Sequence, residues 1–363
     1  RRARGRTPEP TPGRTRGLAQ SKAPSRLSLS LRRCCAFCSC ARSQQSNGGA
    51  NGNGTGNGNG NGAPLVVFDF DKTIVDCYSD NWVVDALGAT RRFDDLLRHL
   101  PWNHAIDAMM GELHSDGKTA EDTLGSLRTA PLSPHVAAAI KAAYALGCEL
   151  RVLSDANAFF IDTILAHHGL AAYFSGTDTN PAHVDAAGRL RIRPYHDFGA
   201  AGHGCTLPTC PPNMCKGKVM ERILRQEEEE EEEEAVSAAA GTEKRRRRRR
   251  AVVYLGDGRG DYCPSLKLRE GDYVMPRAGH PVCDLIAASP PAAAVRGWAG
   301  FEDLARVLLR IVDGEIARAA AAAEEEDAGA GAGVGVGAVV VVPADCRAPR
   351  QEALMPQAVR VPN

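Results

Sequence analysis

An apolar strand that runs directly into two acids constrains this chain more than any other feature: Leu65-Val66-Val67-Phe68-Asp69-Phe70-Asp71-Lys72-Thr73. A run of four or five apolar residues suits the buried strand of a parallel sheet, and in open α/β folds ligands bind at the carboxyl edge of such strands. Asp69 and Asp71, two residues apart, would leave the strand end on the same side, with Thr73 in the turn that follows. One carboxylate placed there can attack a phosphorus atom while its neighbour protonates the departing oxygen and later activates water. A magnesium ion suits the pair, because hard oxygen ligands hold it and its charge offsets that of a phosphate. Alone, the motif fits equally well a strand end with two solvated acids.

Three further segments follow in the order that such chemistry needs. A second apolar strand, Cys148 to Leu153, ends in Ser154-Asp155-Ala156-Asn157, where a hydroxyl and backbone amides at a helix start can hold a phosphate oxygen. Lys216 and Lys218 stand just before a helical pattern over Val219 to Gln226, and a lysine there can neutralise both nucleophile and phosphate as a point charge. A third strand, Ala251 to Leu255, enters Gly256-Asp257-Gly258-Arg259-Gly260-Asp261, whose glycines and acids read as a metal-binding turn. Each segment alone is commonplace; the four in this order are a strong signal.

With these segments quoted, the chain resembles the haloacid dehalogenase superfamily of phosphatases over about residues 64 to 312. Within it, DFDKTIVDCYSDNW (Asp69 to Trp82), LSDAN (Leu153 to Asn157), CPPNMCKGK (Cys210 to Lys218) and YLGDGRGDYCPSLKL (Tyr254 to Leu268) resemble the phosphoethanolamine/phosphocholine phosphatase family. That group includes plant members described as inorganic pyrophosphatases or thiamine phosphate phosphatase-like proteins. The resemblance implies an α/β, three-layer Rossmann-like core with a helical cap inserted after the first strand. It implies Asp69 as the nucleophile that forms an aspartyl-phosphate and Asp71 as general acid and base. Mg2+ would be held by the Asp69 carboxylate, the Asp71 backbone carbonyl and Asp257. Ser154 would bind the transferring phosphoryl group. Lys216, rather than Lys218, would be the charge-neutralising lysine, and Asp261 would orient the metal shell or Lys216.

About eighty residues separate the first two motifs, and loops without structure of their own rarely exceed about 15. Apolar spacing predicts short helices over Trp82 to Leu87, Phe93 to Leu100, Ala105 to Leu113 and Ala120 to Leu127, a cap spanning about 77–130. Such a cap excludes water and admits only small substrates, so small phosphorylated metabolites are expected. Asp80 and Asp155 are acids beyond the chemical minimum. In the resembling family, acids at these places are thought to face a cationic head group, which a carboxylate pair suits; a helix cap (Asp155) and a surface acid (Asp80) are the plainer roles. Trp82 fits a core position better than a cation–π face. Phosphoethanolamine or phosphocholine is therefore the expected substrate, with pyrophosphate and thiamine monophosphate as alternatives. A different class, an inactive phosphate-binding or interaction protein, is opposed by the intact Asp69, Asp71, Lys216 and Asp257.

The net charge of zero hides an asymmetry: residues 1–62 hold ten Arg and one Lys against one Glu, a net +10 that the remaining chain balances. This Arg- and Ser-rich stretch, ending in an Asn/Gly repeat from Asn47 to Gly62, cannot build a core and is expected to be a disordered tail. Its composition also fits an organelle transit peptide, although the first Met in the chain is Met109; the cytoplasm is the expected compartment, with organelle targeting as the alternative. The phosphatase domain is expected over 63–312, and 313–363 as a low-complexity tail. Within the domain, about 226–250 holds Glu227 to Glu234, then Lys244 and Arg245 to Arg250, like-charge blocks expected to be solvated and extended, with pairing between the two blocks open to them. The arginines lack interleaved aromatics, so nucleic acid is not an expected partner. No apolar run reaches the roughly 20 residues of a membrane span. Oligomeric state is not encoded in any motif.

Of the twelve cysteines, Cys34, Cys35, Cys38 and Cys40 are too crowded to read as a zinc site. Cys205, Cys210 and Cys215, five apart beside His203, depart from paired CxxC spacing. Their expected role is a loop that positions Lys216, with a structural metal or disulfide as the alternative.

Overall fold

The computed structural model describes residues 62–199, 202–238 and 249–330. The basic tail with its four cysteines, most of the Arg245 to Arg250 run and the low-complexity stretch after 330 lie outside these residues. In chain order, β1 (Leu65–Phe68) leads into α1 (Ser79–Ala86), α2 (Thr90–Leu97), α3 (Trp102–Ser115), α4 (Ala120–Leu127) and α5 (Pro134–Ala145). Then come β2 (Glu149–Asn157), α6 (Ala158–His167), β3 (Gly176–Asn180), and the strands β4 (Ala182–Val184) and β5 (Leu190–Ile192). After α7 (Lys216–Ala238) follow β6 (Val252–Gly256), α8 (Tyr262–Ser265), β7 (Tyr273–Pro276), α9 (Pro281–Ala288), β8 (Ala294–Val295) and α10 (Phe301–Ala330).

Six strands form one parallel sheet in the order β3-β2-β1-β6-β7-β8. The chain first builds outward from β1 through β2 to β3, then returns beside β1 and builds the other way, so the order reverses between β1 and β6. A crevice opens at the carboxyl ends of strands at such a switch point. β1 is buried from end to end, as a central strand covered on both faces must be. Its alternate residues serve two cores. Val66 and Phe68 pack on the side of α5 and α10, with Ile140 and Leu308 among their cluster. Leu65 and Val67 pack on the side of α7 and α9, with Met220, Ile223 and Val282. The expected three-layer α/β architecture is present.

Between β1 and β2, α1 to α4 fall within a few residues of the helices predicted from apolar spacing. A feature with no sequence signal joins them: the antiparallel β4–β5 hairpin fastens to α3. Asp107 of α3 accepts from Arg191 Nε at 3.0 Å, Arg189 at 3.2 Å and the Ile192 amide at 2.8 Å.

Two low-complexity stretches differ from expectation. The acidic run is not extended; it prolongs α7 from its apolar first turns to Ala238. Glutamate is a good helix former, and like charges at i,i+4 cost only a few tenths of a kcal/mol per pair, so a helix nucleated by packed residues continues through them. Glu227 is buried, and Arg250, at the other end of the insert, pairs with both Glu227 and Glu149. Arg249 holds Asp272 with two bonds of 3.0 and 3.1 Å. Likewise α10 does not stop at 312 but runs to Ala330, Glu315 accepting from the Tyr273 hydroxyl at 2.7 Å. Among the described residues no helix is long and apolar enough to cross a membrane.

Candidate active site

The ends of β1, β2 and β6 and the start of α7 converge at the switch point. Asp69 is the first residue past β1, its amide still bonded to Leu255 O at 2.9 Å, so the ladder fixes its direction. The chain then turns sharply: the amides of Thr73, Ile74 and Val75 all reach Phe70 O. Within this turn Lys72 takes φ 58°, which a residue with a Cβ adopts only when held, and Arg277 holds it by donating to Lys72 O at 2.7 Å.

Lys216, the first residue of α7, is 1% exposed, whereas Lys218 is exposed. Its ammonium lies 2.9 Å from Asp69 Oδ1, 2.8 Å from Asp261 Oδ1 and 3.2 Å from Asp155 Oδ1. Burial alone would pull the ammonium down, but Asp155, Asp261 and Asp69 outweigh it and hold Lys216 well above its usual range. Asp69 Oδ1 also accepts the Phe70 amide at 2.7 Å, which leaves Oδ2 for chemistry.

Asp261 is saturated. Oδ1 accepts from Lys216 and from the Tyr254 hydroxyl at 2.6 Å, and Oδ2 from the amides of Asp257 and Gly258 at 2.9 and 2.8 Å. Burial opposes its ionisation, yet Lys216 and these donors outweigh it and hold it below the usual carboxylate range. Gly256 is required here, because a Cβ would stand 2.4 Å from Asp261 Cγ. Asp257 contacts His280 Nδ1 at 2.8 Å through Oδ2.

On the other side, Asp71 Oδ2 accepts from the amide and hydroxyl of Ser79, at the start of α1, at 3.0 and 3.1 Å. Although Asp71 keeps some exposed surface, its Oδ1 is sealed without a partner. Burial, and then the nearby Asp80, push its carboxyl up to about 8. Asp80 is itself buried, accepting from Trp102 Nε1 at 2.7 Å and Asn157 Nδ2 at 3.4 Å, and burial followed by Asp155 lifts it to about 6. Ser154, 1% exposed at the end of the neighbouring strand, accepts the Ala156 amide at 3.3 Å and keeps its hydroxyl proton to donate. Asn180 secures this turn by donating to Asp155 O and Ala156 O at 2.7 and 2.8 Å.

A divalent metal fits the donor set. Asp69, Asp257 and Asp261 bring carboxylate oxygens within 4.8 Å of one another, all buried. With Asp261 saturated, Asp69 and Asp257 are the acids able to turn to an ion. Burial together with Asp261 raises Asp69 well above its usual range and Asp257 to about 6, an excess of negative charge that a hard cation would relieve.

Over residues 64–312 the sequence matches the family described as Putative Phosphatase. The chain belongs to that phosphatase family. It is 49% identical to "Inorganic pyrophosphatase 2" of Arabidopsis thaliana, over 69% of this chain and 84% of that protein. It is 43% identical to the "Thiamine phosphate phosphatase-like protein" of the same plant, over 68% and 95%. With the "Phosphoethanolamine/phosphocholine phosphatase" of Homo sapiens it shares 32% identity, over 63% and 79%. A solved phosphoserine phosphatase, described as a phospho-aspartyl intermediate analogue, aligns at 15% identity and TM-score 0.42, covering 68% of this chain and 98% of that one. The resemblance carried by the four motifs is borne out.

The structure thus gathers Asp69, Asp155, Lys216 and Asp261 on one ammonium and sets Asp257 beside them. It places Trp82 away from this chemistry, its Nε1 donating to Ser126 O at 3.0 Å in α4. Sequence reasoning missed Ser79, Trp102, Tyr254, Arg277 and His280. Ser79 and Tyr254 lie inside segments already singled out, but their residue types carry no chemical signal. Trp102, Arg277 and His280 are brought in by elements remote in sequence.

Proposed function

We propose that this phosphatase hydrolyses small phosphate monoesters whose leaving group carries a positive charge, with phosphoethanolamine and phosphocholine first among them. The observation that carries this reading is the acidic cap side of the site: burial is joined by Asp80 and Asp155 in raising Asp71 and by Asp155 in raising Asp80, and among the described residues no cationic side chain pairs with Asp71 or Asp80. A cationic head group supplies the missing partner. Thiamine monophosphate, with its thiazolium, meets the same requirement.

In the proposed reaction Asp69 Oδ2 attacks phosphorus and an aspartyl-phosphate forms as the ester oxygen leaves. Asp71, protonated at neutral pH by its burial, gives that oxygen its proton and then takes one from the water that cleaves the intermediate. Lys216 holds Asp69 in place and offsets phosphoryl charge, while the Ser154 hydroxyl donates to a phosphoryl oxygen. Asp261 acts through Lys216. Mg2+, bound by the Asp69 and Asp257 carboxylates and the Asp71 carbonyl, would supply Lewis-acid stabilisation of the phosphoryl oxygens.

A second reading is inorganic pyrophosphate, favoured by the names of two plant relatives at 49% and 48% identity. Pyrophosphate brings only negative charge to the acidic cap side, so it predicts the opposite response to neutralising Asp80. Phosphate release from phosphoethanolamine, phosphocholine, thiamine monophosphate and pyrophosphate, with wild type, Asp69→Asn and Asp80→Asn, tests both. If Asp80→Asn slows the cationic esters and spares or speeds pyrophosphate, the cationic reading stands; equal losses on all four overturn it. Turnover unchanged in Asp69→Asn would remove the site altogether.

A further inference from the structure

Beside the start of α7, Cys205, Cys210 and Cys215 are joined by a fourth cysteine, Cys263, far along the chain. The four sulfurs lie within 4.8 Å of one another, and Cys263 Sγ stands 3.8 Å from Cys205 Sγ and 3.7 Å from Cys215 Sγ. A disulfide needs about 2.05 Å, and all four are free thiols. A tetrahedral zinc with bonds of about 2.3 Å places its sulfurs about 3.8 Å apart, which matches the two distances from Cys263.

We infer that Cys205, Cys210, Cys215 and Cys263 form a tetrathiolate site for one zinc ion, which ties the loop before Lys216 to the turn after Asp261. Two independent features of the backbone serve the sulfurs. Gly217 has no side chain where a Cβ would stand 2.3 Å from Cys263 Sγ, so the helix start is cut away to admit that sulfur. The Lys218 amide donates to Cys215 Sγ at 3.4 Å, a bond that delocalises thiolate charge. His203, the neighbour suggested by sequence, is not a ligand: Nδ1 accepts the Cys205 amide at 3.1 Å and Nε2 donates to Pro211 O at 2.9 Å, so its ring braces the loop instead. Four thiolates around Zn2+ leave two negative charges, and binding releases the thiol protons to solvent. Lys267, whose ammonium is raised by Glu221 and further by Cys263 and Cys205, flanks them.

The placement gives the ion a task. Cys215 immediately precedes Lys216, and Cys263 follows Asp261 by two residues, while Lys216 and Asp261 are themselves paired at 2.8 Å. A closed four-sulfur site is structural rather than catalytic, and here it would hold the lysine and its anchoring acid in register through their chain neighbours.

Metal analysis and native mass spectrometry of the full chain, purified without chelator and dialysed against magnesium, should find one zinc per chain, released by a mercurial thiol reagent. The double variant Cys205→Ser/Cys210→Ser should lose that zinc, and a variant with Cys34, Cys35, Cys38 and Cys40 changed to Ser should keep it. Because the double variant could fail to fold, wild-type protein stripped of metal and loaded with Co2+ provides an independent readout, expected to show the charge-transfer bands of tetrathiolate cobalt. Zinc-free wild type with no cobalt spectrum, zinc retained in the double variant, or disulfides among the four after rapid thiol blocking would each overturn the inference.

Discussion

The two sides of the site are built on opposite electrostatic plans. On the lysine side an ammonium stands among the acids: Lys216 meets the buried Asp69 and Asp261 and the exposed Asp155, and Asp261 takes two further amides and a hydroxyl. On the cap side the half-buried Asp71 and the buried Asp80 have, among the described residues, only neutral donors, Ser79, Trp102 and Asn157, and both are lifted toward neutrality. The first arrangement has its cation built in before any ligand arrives. The second is left incomplete, and its shortfall of positive charge is what a substrate can supply.

The sharpest way to break this contrast is to remove the lysine. Lys216→Met strands Asp69 and Asp261 in the interior. Breaking a buried pair costs about 3–5 kcal/mol, so denaturant unfolding should show a loss of that order, and phosphate release should fall to background. Asp69→Asn should also abolish release, by about 10⁴-fold or more, while folding is retained.

Asp71→Asn should separate function from stability. Loss of the general acid should lower turnover by about 10²–10⁴-fold. Its folded-state carboxyl is raised from the ordinary 3.8 to about 8, so its favourable contribution is complete below 3.8 and is lost as pH rises through 8. The neutral amide escapes this loss. Thermal melts should therefore show Asp71→Asn matching wild type near pH 4 and exceeding it at pH 8.5, by on the order of 5 kcal/mol. An unchanged difference across pH would mean that Asp71 is already neutralised by a partner.

A smaller effect should sharpen the cap side. Ester hydrolysis by wild type should decline as pH rises through about 8, where Asp71 loses the proton it donates. Asp80→Asn removes a neighbouring charge that raises Asp71, so the pH–rate profile should move this decline to lower pH. At the weak end, Lys218→Ala, at an exposed position, should change stability by no more than about 0.5 kcal/mol.

Much of the chemical layout was legible because it is written locally. Strand ends with Asp69, Ser154 and Asp257 combine an apolar run with a polar turn, and periodicity located α1 to α4. What was not legible depends on long-range assembly. Tyr254 reads as one more strand residue until the fold sets its hydroxyl on Asp261. Cys263 appears alone until the sheet order brings it to three others, and His280 meets Asp257 only through the crossing to α9. Of the charged insert, the pairing of its two blocks is met by Arg250 on Glu227, but the acidic run was misjudged: its composition suggested an extended chain, whereas the helix started by Val219, Met220 and Ile223 could propagate through glutamates at little cost.

The clasp formed by Glu227, Arg250 and Glu149, with Arg249 on Asp272 beside it, fastens the chain entering β6 to α7 and β2. The chain therefore carries a docking port for protein engineering. Between the end of α7 and Arg249, a fluorescent reporter or affinity module could be spliced in, and the ionic buckle at its base would keep the catalytic strand aligned.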